Sequence, residues 1–242
     1  TELNFCIKGT ITAADNIFDD QAKTLLPLAP NMGARFMSIL QLMSFERLLR
    51  RALERGRVKE IVNGTQCDAI QRELLDRMAL IGRLEGSEEE GVEEIPRPEV
   101  MLDSVHRIRG GDLFALAFAA PKVLEEDGLS EKLSAAEYAV AQLGTAFQIV
   151  DDLTDFEVDV GRRSNNLLVS QIHHHGSEEE KATLTKLRAG EGVPEGLVES
   201  LFLNSAGSVL DIAYCEARAA FMGLADLGYW FDPSLADQVV HA

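Results

Sequence analysis

FQIVDDLTDFEVDVGRR, residues 147–163, decides how this chain is read. Asp151, Asp155 and Asp159 recur every fourth residue, so on a helix they stack along one face. Like charges at that spacing destabilise a helix by ~0.2–0.5 kcal/mol per pair. Ala146, Phe147, Ile149 and Val150 lead directly into the acidic run, which marks the helix as one packed into an interior. DNIFDD, residues 15–20, repeats the arrangement: Asp15 and Asp19 are four apart and follow Ile11, Ala13 and Ala14. Two carboxylate clusters on helices of this kind need a cation between them. Mg²⁺ is the simplest, because it takes oxygen ligands and is commonly shared between a few carboxylates and substrate phosphates.

Outward from these clusters the apolar periodicity is helical almost throughout. In 35–54, Phe36, Ile39, Leu40, Met43, Leu48 and Leu49 fall at helical spacings, and the Met and Phe residues of 32–45 are expected in the core. Ser134 with Glu137 and Ser177 with Glu180 form capping-box patterns that predict helices over 134–150 and 178–188. Pro194 suits the first turn of a helix running to about Leu227. No alternating strand pattern persists, so the chain is all-α. Breaks fall at 27–33, 85–98, 127–130, 188–194 and 232–234, where Pro, Gly and charge gather. The acidic 85–98 segment is expected as a solvated loop, since clustered like charges repel. No repeat or composition shift demands a boundary, so residues 1–242 are read as one helical domain.

The net charge of −17, from 23 basic and 40 acidic residues, excludes nucleic-acid binding through a basic face and gives no attraction to anionic membranes. The longest apolar run, Leu113 to Ala120, is too short for stable membrane insertion. Cys6, Cys67 and Cys215 match no metal or redox spacing and are read as reduced thiols of a cytoplasmic protein.

Residues 11–168 resemble the trans-polyprenyl diphosphate synthases, class I isoprenoid synthases. Phe147, Gln148, Asp151, Asp152 and Asp155 match that family's second motif, FQ-x-x-DD-x-x-D, position for position, with Gly161-Arg162 where Gly-Lys would stand. Asp15 to Asp19 resembles the first motif, DD-x-x-D, with Asn16 for the second Asp. Arg109 to Phe114 stands in place of a Lys-Thr-x-x-Leu-Phe element. Gly64 and Asp68 resemble a Gly-Gln-x-x-Asp element with Gln66 displaced by one position. The family's Arg-Arg-Gly after the first motif is replaced by QAKTLLPLAPN, where Lys23 is the nearby cation. Its helices before the first motif have no counterpart, so the resemblance implies an N-terminally incomplete chain. DNIFDD also fits the D-x-x-x-D spacing of head-to-head synthases.

The resemblance implies a single-domain antiparallel helix bundle of the isoprenoid synthase type and a Mg²⁺-dependent prenyl transferase, with Mn²⁺ as a substitute metal. Asp15, Asp19, Asp151, Asp152 and Asp155 would hold the ions, and Asp20, about 100° round the helix from Asp19, would lie behind them or face solvent. Arg109, Arg162 and Arg163 would bind phosphate oxygens and Gln148 would orient the diphosphate. Phe147 would contact substrate, and Ile11, Thr10 and Ala14 would line an apolar tunnel for the prenyl tail. The partners implied are prenyl diphosphates and a second copy of the chain, as a homodimer. Blander readings stand beside these. Asp159 is expected as a solvated residue at the helix end, and Arg109 has a second reading as an ion pair with a neighbour such as Asp112. Arg162 and Arg163 also suit the C-terminal end of a helix electrostatically. His173, His174 and His175 point about 100° apart on a helix and are read as polar residues near its end. The rivals are a class I terpene cyclase, a head-to-head synthase, and a non-catalytic regulatory homologue of a prenyl synthase.

Overall fold

The computed structural model describes residues 2–18, 23–28, 33–125, 127–191, 200–230, 232, 234 and 236–238. The decisive stretch lies at the end of α7 (Ser130–Thr154). This helix begins four residues before the expected cap, so Ser134 lies within it. The cause is the tight 3₁₀ turn Asp127–Leu129, which feeds the chain straight into helical geometry. The inward face of α7 carries Ala136, Ala139, Gly144, Thr145, Ala146 and Ile149, small residues that let other helices approach closely.

Among the described residues the chain forms α1 (Glu2–Phe18), α2 (Ala34–Val58), α3 (Gly64–Ser87), α4 (Pro98–Met101), α5 (Leu113–Ala115), α6 (Ala119–Leu124), α7, α8 (Phe156–Arg162), α9 (Leu167–His175), α10 (Glu178–Arg188) and α11 (Leu203–Asp226), with further helical residues at 200–201 and 236–238. Between α4 and α5 the chain runs as a π-helix over Leu102–Asp112. No strand occurs among the described residues. The contacts divide the chain into two compact units, Thr1–Leu75 with Leu116–Asp127, and Asp76–Ala115 with Gly128–Ala242.

In the first unit α1 packs on α2, and Phe45 is fully buried with the Phe5 ring edge-on at 5.6 Å. The packed face of α2 carries Ser38, Gln41 and Phe45. Phe36 and Met43, expected in the core, are instead 49% and 53% exposed, and Ile39 on the same face is 40% exposed. Residue 36 lies nearly opposite residue 38 on a helix of 3.6 residues per turn, so burying one face exposes the other. Gln41 belongs inside because Oε1 accepts from the amides of Leu25 and Leu26 at 2.7 and 3.2 Å. It thereby anchors the chain beyond α1.

In the second unit the core joins Met101, Val105, Ile149, Phe156, Leu167, Ile172 and Phe202, and α7 packs on α11 and on the π-helix. The helix expected from Pro194 to Leu227 is interrupted: Phe202 bends (φ −124°, ψ 27°) before α11 starts. That bend turns the Phe202 ring into the core, edge-on to Phe156 at 5.3 Å. Residues 192–199, with Pro194, lie outside the described residues. The capping box of Ser177 and Glu180 forms as expected.

Gly110 of the π-helix and Gly144 of α7 meet backbone to backbone. A Cβ on either would lie 2.3 Å from the other's carbonyl oxygen. Gly144→Ala is therefore expected to destabilise the protein by about 1–3 kcal/mol, the range for overpacking. Urea unfolding checks this, and an unchanged midpoint would contradict the close approach.

Candidate active site

The end of α7 and its cap, Asp155, separate three aspartates by side. Asp151 and Asp155 are exposed one turn apart, where the Asp155 amide donates to the Asp151 carbonyl at 2.8 Å. Asp152, about 100° round the helix, is only 2% exposed. Its Oδ2 faces His106 Nε2 at 2.7 Å and accepts from the Leu167 amide, while Oδ1 accepts from Gln148 Nε2 at 3.4 Å. The Asp152 main-chain oxygen accepts from Asn166 Nδ2 at 2.6 Å. Asp152 and Gln148 thus meet each other and protein donors.

Asp159 is not the solvated helix-end group expected. Its Oδ2 accepts from Asn166 Nδ2 at 2.8 Å in a partly buried setting. Burial is the main cause that pushes its pKa from an ordinary 3.8 up to about 7; the Asn166 hydrogen bond opposes this, and the charges of Asp152 and Asp155 add to it. Asn166 also caps α9, accepting from the amides of Leu168 and Val169.

Arg109 is mostly buried and has its own carboxylates: Nε donates to Glu85 at 2.6 Å and Nη2 to Glu88 at 2.8 Å. Burial alone would lower its pKa, but Glu85 and Glu88 outweigh burial and hold it above the ordinary value. Glu88 is 8% exposed, against the solvated loop expected over 85–98, and Glu85 lies within α3. Its buried position follows from having a guanidinium to neutralise. Arg162 and Arg163 end α8 on the surface, as their helix-end reading required.

Phe147 is exposed, and its ring stacks on Phe114 with centroids 5.6 Å apart. On the neighbouring face Leu143, Phe147 and Val150 of α7 join Leu210, Tyr214 and Phe221 of α11 around an apolar groove. His173, His174 and His175 occupy the last turn of α9, where His174 Nε2 lies 3.0 Å from the Ile95 carbonyl.

In the first unit Asp15 is exposed on α1, with Lys23 Nζ 3.6 Å from its carboxylate. Asp19 and Asp20 lie outside the described residues. Ile11, Thr10 and Ala14 are partly buried on α1. Asn16 is buried, donating Nδ2 to the Lys23 carbonyl at 2.7 Å and accepting the Lys23 amide at 3.1 Å. One side chain must both donate and accept there, which a carboxylate cannot do. Gln66, the displaced member of its motif, exchanges 2.9 Å hydrogen bonds with Asn63 in a capping box that starts α3.

Carboxylate oxygens suit Mg²⁺, and the exposed members here are Asp15, Asp151 and Asp155. Among the described residues no three His, Cys, Asp or Glu side chains gather closely enough to hold a metal ion by themselves. His106, Glu88, Asn165 and Asn166 are absent from the sequence-based site. A lone His and two adjacent Asn carry no motif, and Glu88 is hidden within a run of like charges.

The structure is similar to the crystal structure of a decaprenyl diphosphate synthase from Rhodobacter capsulatus. The TM-score is 0.65 at 18% identity, over 99% of this chain and 77% of that one. The likeness shows the fold, the all-α isoprenoid synthase architecture. No protein-family model and no curated protein sequence matches the chain. No helix among the described residues is long and apolar enough to cross a membrane.

Two substitutions examine these placements. Asn16→Asp leaves the Lys23 carbonyl without its donor, and is expected to lower stability by about 1–3 kcal/mol in urea titrations. Asp159 holds a proton more tightly when folded, so its contribution to stability falls as pH rises from 3.8 to about 7. Asp159→Asn has no such proton to lose. Its unfolding free energy, measured against pH, is expected to lack that fall and to exceed the parent's at pH 7.

Proposed function

We propose that this chain is a Mg²⁺-dependent prenyl transferase condensing an allylic prenyl diphosphate with isopentenyl diphosphate. The observation that carries the reading is the placement of Asp151 and Asp155, exposed at the end of α7 beside apolar Phe147 and Phe114, on the fold of a decaprenyl diphosphate synthase. Asp151 and Asp155, with Asp15 and Asp19, are the residues to hold the ions. Asp152 serves as their anchor, since its carboxylate is engaged by protein donors. Bound Mg²⁺ (or Mn²⁺) would neutralise the diphosphate and make it a competent leaving group.

The remaining work falls to the chain. Arg162 and Arg163 supply planar guanidinium donors for phosphate oxygens. Phe147, Phe114 and the groove between α7 and α11 shelter the prenyl tail and exclude water as charge develops on carbon. The C–O bond to diphosphate breaks with its electron pair on oxygen. The isopentenyl double bond then attacks the allylic carbon, and a proton leaves the neighbouring carbon.

The exposed stripe of Phe36, Ile39 and Met43 on α2 favours a homodimer, in which a second copy covers it. The free thiols Cys6, Cys67 and Cys215 favour a reducing, cytoplasmic setting. The rival with specific support is a non-catalytic homologue, because Asn16, Asp152 and Arg109 are each committed to protein partners.

The test measures diphosphate release from farnesyl diphosphate and Mg²⁺, with and without isopentenyl diphosphate. Release only with both substrates is expected. Asp151→Asn should reduce it by about 100-fold or more, the scale of removing one preorganised charge-stabilising group. Product from the single substrate would indicate a cyclase or a head-to-head synthase. No release with any prenyl donor would favour the regulatory homologue.

A further inference from the structure

We propose that Glu88 is a positioning residue, clasping the turn at 162–165 so that Arg162 and Arg163 are presented to phosphate. The inference rests on the prenyl transferase reading for what those arginines bind, and on geometry for the clasp itself.

Glu88 stands in a run of like charges, yet it turns inward while Glu89 and Glu90 stay exposed. A buried carboxylate is unfavourable unless it is both paired and hydrogen-bonded. Both Glu88 oxygens meet that condition. Oε1 accepts from Arg109 Nη2 at 2.8 Å and from Asn165 Nδ2 at 2.6 Å, and Oε2 accepts from the Asn165 amide at 3.0 Å. Asn165 Oδ1 is left buried without a hydrogen-bond partner. A buried acceptor without a donor is unfavourable by about 1–3 kcal/mol, so the Glu88 contact outweighs it in setting the amide.

A second tie lies four residues beyond Glu88: the Val92 amide donates to the Arg163 carbonyl at 2.8 Å. Gly91 lies so close that a Cβ there would be 3.1 Å from the Arg162 carbonyl oxygen. These ties matter because Arg163 has φ 59° and ψ 36°, the left-handed region. For a residue other than glycine such backbone persists only where its surroundings over-determine it. Beyond the turn, Asn166 and the Leu167 amide are held by Asp152. The turn carrying the arginines is thus gripped at one end by Glu88 and at the other by the buried aspartate of α7. Both Glu88 oxygens are thus engaged within the protein. Arg109, expected to bind phosphate, becomes the counter-charge that keeps Glu88 in place.

The test compares the full chain with Glu88→Gln and Asn165→Ala. Three quantities are read: amide hydrogen exchange at Asn165 and Val92, affinity for inorganic diphosphate with Mg²⁺, and the KM and kcat of turnover. Glu88→Gln is expected to speed exchange at both amides. It should weaken diphosphate binding and raise KM by about tenfold, with kcat within about twofold, on the scale of losing one supporting contact behind a ligand site. Asn165→Ala keeps the Glu88–Arg109 pair and should give a smaller change in the same direction. It decides the matter if Glu88→Gln does not fold. Unchanged exchange in a folded variant overturns the clasp. Faster exchange with unchanged affinity and KM overturns the link to the arginines. A parent chain that binds no diphosphate overturns the prenyl transferase reading and the positioning role together, while the exchange rates still decide the clasp.

Discussion

The buried carboxylate of Asp152 is the interaction on which the second unit depends. A charge removed from water must be met by donors, and here they come from three places in the chain. His106 arrives from the π-helix, Gln148 from one turn earlier on α7, and the Leu167 amide from the start of α9. Each donor fixes the element that carries it. The other ring nitrogen of His106 lies 3.3 Å from the Met101 carbonyl, which ties the π-helix to the preceding turn. Asn166 closes the circuit by capping α9 while donating to the Asp152 carbonyl and to Asp159.

This explains why neighbours in one acidic motif have different lives. Asp151 and Asp155 stay at the surface, while Asp152 holds the frame that keeps them there. A similar division holds in the first unit. Asp15 is exposed at the end of α1, and Asn16 beside it straps the Lys23 backbone. In both units one residue of the motif faces outward and the next faces inward, where it holds the architecture. An amide suits position 16 better than an acid would, because the strap both donates and accepts.

What the sequence made legible was whatever periodicity or a local motif could encode. Helical character, the box at Ser177 and the one-turn separation of Asp151 and Asp155 all follow from spacing. The burial of Glu88 does not, because its partner Arg109 lies 21 residues away and nothing local announces the pairing. Phe36 and Met43 are exposed, against expectation, for a related reason. Their spacing is right for a buried face, but the neighbour that packs on α2 selects Ser38, Gln41 and Phe45 instead. Ser134 fails as a cap because the 3₁₀ turn before it already supplies a helical entry. Pairings across long separations are where pattern reading runs out.

The π-helix over Leu102–Asp112 has a consequence for how this chain tolerates change in length. Its hydrogen bonds reach one residue further than those of an α-helix, so it is wound more loosely about its axis. His106, Arg109 and Gly110 hold their bearings relative to one another only in that winding. Deleting a single residue would let the segment tighten into ordinary helix and swing everything after the cut away from α7. A surface loop would absorb the same deletion. Here the count of residues, as much as their identity, carries the information.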